Sequence, residues 1–180
     1  MRTAQWQVVN QEILLWLDDD EVESTEDRFP ILRRWMEEFL QDLPFILDDY
    51  PAERWLEQQA LDQNGVVAFH PHNGGRRPIL MGGIDIEVLR VHQSHWPESW
   101  TSGLRVAAFD SQEAMMAQLS DWSGRPDRLL TRDVGQALFV LWTYADAQCL
   151  RIQPGRHNLP ILLNQAEEIG QRLGYSWQAL

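Results

Sequence analysis

Lysine is absent from this chain, and all 15 of its basic residues are arginine. That absence excludes chemistry that needs a side-chain amine: Schiff-base and pyridoxal-phosphate catalysis, the Walker lysine and the strand lysine of protein kinases. Neither G-x-x-x-x-G-K-[ST] nor G-x-G-x-x-G occurs, so the common nucleotide-binding loops are missing too. Cysteine is reduced to Cys149, which has no partner for an internal disulfide and suits a reducing compartment. Long apolar runs are also lacking. No uninterrupted stretch approaches the ~20 residues that span a bilayer, and Met1-Arg2-Thr3-Ala4-Gln5-Trp6 lacks the charged-then-apolar layout of a secretory signal. These absences predict a soluble, cytoplasmic protein that makes no membrane contact.

What is present is an uneven charge. Residues 1–64 hold 16 of the 27 acids and five of the 15 arginines, and so carry −11 of the formal −12. A concentrated negative field steers and selects partners without specifying a reaction. A pI near 4.7 offers no basic footprint for phosphates, which argues against direct nucleic-acid binding.

With 180 residues and 44 % hydrophobic content, the chain fits one globular domain, 1–180, able to bury about 70 % of its unfolded surface. The apolar runs Trp6-Gln7-Val8-Val9 and Ile13-Leu14-Leu15-Trp16-Leu17 read as paired strands or as one buried helix. Asp18-Asp19-Asp20-Glu21-Val22-Glu23 reads as a solvated loop. Ser24 followed by Asp27 opens a helix with Leu32, Trp35, Met36, Phe39, Leu40 and Leu43 in one stripe, which Pro44 stops. Pro51 opens a second, short helix that includes Trp55 and Leu56 and ends at Asn64-Gly65.

Beyond this acidic helical part, about 1–64, a sheet-rich part spans about 65–109. Strands are expected at 66–69, 78–81, 84–88 and 104–109, most simply as an antiparallel meander, with a loop from His70 to Arg77 and another from His92 to Ser102. In the α/β part, about 110–180, Asp110-Ser111 caps a helix burying Met115, Leu119 and Trp122. Thr131 to Ala145 has helical spacing, Cys149 to Ile152 reads as a strand, and Asn158-Leu159-Pro160 opens a final helix that Gly174 ends. The expected class is α+β: a mostly antiparallel central sheet flanked by helices at both ends of the chain.

Three patterns could carry chemistry. His70-x-His72 and His92-x-x-His95 form two short imidazole pairs that would suit zinc, copper or nickel if the fold brought them to one edge. That happens only if 78–81 inserts a strand between them. Gly74, Gly75, Arg76 and Arg77 offer backbone amides and forked donors to an anion, or else form a turn whose arginines pair with acids of the first third. Asp18, Asp19, Asp20, Glu21 and Glu23 lack the sixth-position glycine and distal glutamate of an EF-hand loop, so they read as a surface and not as a calcium site. Cys149 and His157 lie in no nucleophile–base signature.

Most of the nine tryptophans read as core: Trp35, Trp55, Trp122 and Trp142 fall within expected helices, the first three on their apolar faces. Trp96 and Trp100 lie in a Pro/Ser loop and are the expected exposed contact pair. The leading expectation is an acidic protein-binding module of the inhibitor, immunity, chaperone or assembly-factor kind. It would use Asp18, Asp19, Asp20, Glu21, Glu23, Trp96 and Trp100 against a basic protein partner, without a cofactor. The alternative is a metal- or phosphate-ligand-binding domain or enzyme centred on His70 to Arg77.

Overall fold

The first apolar runs fold as strands, β1 (Arg2–Val9) and β2 (Glu12–Asp19), paired antiparallel with Trp6 opposite Leu15. Two residues connect them. Asn10 and Gln11 both have positive φ, 52° and 65°, the backbone that matches a two-residue turn to the right-handed strand twist. Strand pairing rather than helix is thus fixed by the turn, which apolar periodicity does not report. In the computed structural model, residues 2–19, 24–48, 66–72, 75–83, 85–95, 104–123, 134–144 and 148–180 are described. Pro51 to Gly65, where the second helix is expected, lies outside them.

Helix α1 (Thr25–Leu40) begins as expected, with the Ser24 hydroxyl accepting from the Asp27 amide at 3.3 Å and donating to the Asp27 carboxylate at 2.7 Å. Pro30 removes one backbone donor from its second turn. The helix persists because Phe29, Leu32, Trp35, Met36, Phe39 and Leu40 are all buried on one side. Gln41 closes it at φ 47°, its amide donating to the Glu37 carbonyl. β3 (Phe45–Asp48) follows, four residues with no strand signature of their own.

β4 (Val66–His72) and β5 (Gly75–Gly83) form a long hairpin with a bulge at Ala68/Phe69. The expected loop from His70 to Arg77 is therefore mostly ladder: His70 pairs with Arg77 and Pro71 with Arg76. Pro71 is tolerated because β4 is an edge strand. Of the strand expected at 84–88, the described residues are instead a turn at 85–86 and the start of helix α2 (Glu87–His95). Asp85 caps it, accepting from the Glu87 amide at 2.9 Å, and buried Val88, Leu89 and His92 recur at helical spacing. Five alternating residues were too few to separate the two periods.

β6 (Arg105–Ala108) leads to α3 (Gln112–Ser123), whose first turn donates from the Ala114 amide to the Ser111 hydroxyl. The helical expectation over 131–145 is overturned at its described residues, 134–144. Residues 139–144 form β7 (Phe139–Tyr144), and the run from Ala137 to Leu141 is buried throughout, as in a strand covered on both faces. β8 (Cys149–Pro154), α4 (Leu159–Leu173) and β9 (Ser176–Ala179) complete the described chain. Asn158 caps α4 through the Ile161 amide, and Gly174 ends it at φ 81°.

The fold class is α+β, built on a sheet whose described strands run β4-β5-β3-β6-β7-β8-β2-β1-β9. Every neighbouring pair is antiparallel except β1 and β9. It is not a simple meander: β3, from the acidic third, inserts between β5 and β6, while β1 and β2 extend the other half. Strand alternation sorts side chains into two cores. Phe45, Leu47, Val106, Phe139, Leu141 and Ile152 join α1, α2 and α4 in the larger one. Ile46, Ala107 and Val140 turn the other way, against Met115, Leu119 and Trp122 of α3.

After β8 the backbone returns to the start of β7. The amides of Gly155 and His157 donate to the Leu138 carbonyl and that of Arg156 to the Ala137 carbonyl. A Cβ at Gly155 would lie 2.2 Å from the Ala137 oxygen, a backbone atom that cannot move aside without breaking this cradle. A Cβ at Gly174 meets nothing within 4 Å and adds only left-handed strain. Gly155→Ala is expected to cost about 2–4 kcal/mol and Gly174→Ala about 1 kcal/mol in urea unfolding; equal costs would contradict the packing assigned to residues 155–157.

Candidate functional site

The strands that bury Ala4, Ile13, Leu15, Leu150 and Ile152 on one face present Gln5, Gln7, Glu12, Trp16, Asp18, Cys149, Arg151 and Gln153 on the other. Among the described residues, the α3-side core includes none of β1, β2 or β8. This second face is consequently polar and aromatic.

Its inner end is held by arginines inside the sheet. Cross-strand register aligns Arg105, Trp142, Arg151 and Leu14 across β6, β7, β8 and β2. Arg105 is only 2 % exposed, its guanidinium 4.7 Å from the Trp122 ring centre and 5.2 Å from that of Trp142. Phe109 sets its ring edge against Trp122 at 6.4 Å, fixing one wall of that stack. Arg151 binds Glu12 at 3.1 Å, with the Glu12 side chain 8 % exposed, and the Trp142 indole donates to the Gln153 side-chain Oε1 at 3.3 Å. Arginine suits these places because its weakly hydrated planar cation stacks on rings and forks onto carboxylates, which an ammonium does poorly.

The same side-chain type answers the acids of the first third. Glu37 binds Arg33 at 3.3 Å and Arg90 at 2.9 Å, Glu38 binds Arg172 at 2.9 Å, and Arg90 also meets Glu87. Hydrogen bonding to Glu37, then to Glu87, raises the Arg90 pKa further above its ordinary value. Arginines of the nearly neutral remainder thus complement part of the acidic segment from within. In the sequence, the pairing of acids with arginines was expected at Arg76 and Arg77; their side chains lie outside the described set, and Arg90, Arg151 and Arg172 do this work.

At the outer end lies an open groove of about 480 Å³ lined by Gln5, Gln7, Trp16, Leu17, Asp18, Arg28, Gln148 and Leu180. Asp18 and Asp19 form the end of β2, so the acidic run starts as ordered strand instead of a solvated loop. Asp20, Glu21 and Glu23 lie outside the described residues, as do Trp96, Trp100 and Gly74. Gly75 opens β5, with Arg76 and Arg77 next in that strand. His70 and His72 belong to β4, whereas His92 and His95 belong to α2. Residues 78–81 do lie in β5, yet His92 lies within a helix and does not follow a strand, and its side chain is fully buried. Among the described residues no three potential metal ligands cluster.

Glu12, Arg105, Arg151 and the groove residues Gln5, Gln7 and Gln148 were not singled out in the sequence. Their signal was a polar residue at alternate positions of an otherwise apolar strand, visible for Glu12 and Arg151 once the strands are known. No described helix is long and apolar enough to cross a membrane. Comparison with protein families, with curated proteins and with solved structures finds no match.

Cys149 is fully buried, and its desolvation pushes the thiol pKa up to about 12 against the opposing Leu15 hydrogen bond and Arg151 charge. A thiol so placed stays protonated and unreactive at neutral pH. Because its folded pKa exceeds the unfolded one, it adds stability below about pH 8.5 that is lost as pH rises toward 12. Disulfide-exchange reagents at pH 8 are expected to label Cys149 only when urea unfolds the chain; rapid labelling of the native protein would refute the burial. Arg105→Lys is expected to cost about 1–3 kcal/mol in urea unfolding despite keeping the charge, and a cost near zero would show that stacking on Trp122 and Trp142 contributes little.

Proposed function

We propose that this protein is a small acidic protein-binding module, of the inhibitor, immunity, chaperone or assembly-factor kind, that engages a basic partner surface. The observation that carries this reading is where the acidic run begins. Exposed Asp18 and the backbone of Asp19 are held in β2, and α1 starts at the Ser24 cap only a few residues later. Charge that begins on an ordered strand is held in position there, and specific association favours positioned charge over a free tail. Glu12, Glu37 and Glu38 are already matched by internal arginines, whereas Asp18 is exposed and has no ion-pair partner among the described residues.

The register of His70 with Arg77 favours one competing reading, an anion-binding hairpin. Stabilisation by phosphate or phosphorylated metabolites that Arg77→Gln removes would support it over partner binding.

Capture of partners from the native host is expected to fall by more than tenfold between about 0.05 and 0.5 M salt. Replacing Asp18, Asp19, Asp20, Glu21 and Glu23 by their amides should remove most of that dependence and weaken binding. Glu37→Gln with Glu38→Gln, whose charges are internally paired, should change affinity by no more than about threefold. Undiminished, salt-independent binding by the five-fold amide variant would overturn the proposal.

A further inference from the structure

We infer that the groove on the β1–β2 hairpin is where the basic partner inserts an arginine side chain. This rests on the proposed partner-binding function and names the chemistry of its contact. Trp16 and Asp18 are two residues apart on β2 and so share a face, with Gln5 opposite Trp16 and Thr3 opposite Asp18 in the ladder. The groove thereby offers the parts that recognise a guanidinium: an indole, a carboxylate, and carbonyl acceptors from Gln5, Gln7 and Gln148. Leu17 and Leu180 add apolar lining for the methylene stem.

Two further observations favour this occupant. Asp18 is exposed and has no ion-pair partner among the described residues, although Glu12, Glu37, Glu38 and Asp110 each hold an arginine. Its charge is therefore available. The chain also sets its own Arg105 guanidinium over the rings of Trp122 and Trp142, so guanidinium on tryptophan is a contact this protein already makes. An ammonium would satisfy Asp18 but would not stack flat or fork.

Arg28 borders the same groove from α1 and likewise has no ion-pair partner among the described residues. It cannot bind the incoming cation. Its role in this assignment is to limit the groove to a single guanidinium by repelling a second. Asp18 and Arg28 variants should consequently move affinity in opposite directions.

Protein carrying ¹⁵N-labelled tryptophan provides the test, because the Trp16 indole signal can be identified by its loss in Trp16→Phe. N-acetyl-arginine amide should shift that signal saturably and leave those of the core tryptophans in place, whereas the citrulline analogue should not shift it and the lysine analogue should bind several-fold more weakly. Asp18→Asn should weaken arginine binding about tenfold, and Arg28→Gln should tighten it about two- to five-fold. Unchanged core tryptophan signals in each variant establish that it is folded. An oligo-arginine peptide separates the two claims. If it binds with steep salt dependence while the Trp16 signal stays fixed, the groove assignment fails and the partner-binding reading stands; if it does not bind at all, that reading fails and the groove with it. An equal response to citrulline, or no effect of Asp18→Asn, overturns the guanidinium assignment.

Discussion

The period-two alternation of one continuous sheet governs the placement of nearly every residue discussed above. A strand sends successive side chains to opposite faces, so Phe45, Ile46 and Leu47 divide between two cores within three positions. In the centre both faces are covered, by α1, α2 and α4 on one side and by α3 on the other. Toward β8, β2 and β1 the first face continues into the large core while the second turns polar. That change of character along a single surface separates the packed centre of the sheet from its open, polar end.

Arginine resolves a conflict that this arrangement creates. A sheet face that passes from core to open surface must place polar residues at positions with little access to water, where an unpaired charge would cost several kcal/mol. At Arg105 the cost is offset by two indole faces, and at Arg151 by the buried Glu12 carboxylate. On the outer surface Arg90 and Arg172 clasp Glu37 and Glu38, tying α1 to α2 and to α4. These exposed pairs add little stability one by one, yet they decide which acids retain free charge. The net charge of the first third therefore overstates its free charge, because Glu12, Glu37 and Glu38 are each matched by arginine while Asp18, at the end of β2, has no ion-pair partner among the described residues.

Legibility in the sequence followed the length and regularity of each signal. α1 and α4 were readable because each has a capping side chain, a stop signal and four turns of apolar stripe. Leu138 to Leu141 misled because a strand buried on both faces has no polar positions to reveal its period, and helical spacing can then be found in it. The segment at 84–88 misled in the opposite sense, since five residues fit both periods until Asp85 is seen to cap. At the site, Asp18 and Asp19 were picked out by charge alone. Gln5, Gln7, Trp16 and Gln148 were invisible as a group, because they come from three separate segments and acquire meaning only side by side.

The sequence by itself determined the α+β class, the two long helices with their ends, the absence of amine chemistry and the segregation of negative charge. Each of these is a local or summed property that composition, spacing and capping express directly. Tertiary structure alone decided that β3 enters the middle of the sheet, that β9 closes beside β1 in parallel, and that Glu12, Arg105 and Arg151 share one buried tract. It also decided that Glu12, Glu37 and Glu38 are matched by arginines from elsewhere in the chain. Pairings between residues 53 or 134 positions apart depend on how the elements are ordered in space, and no local pattern encodes that order.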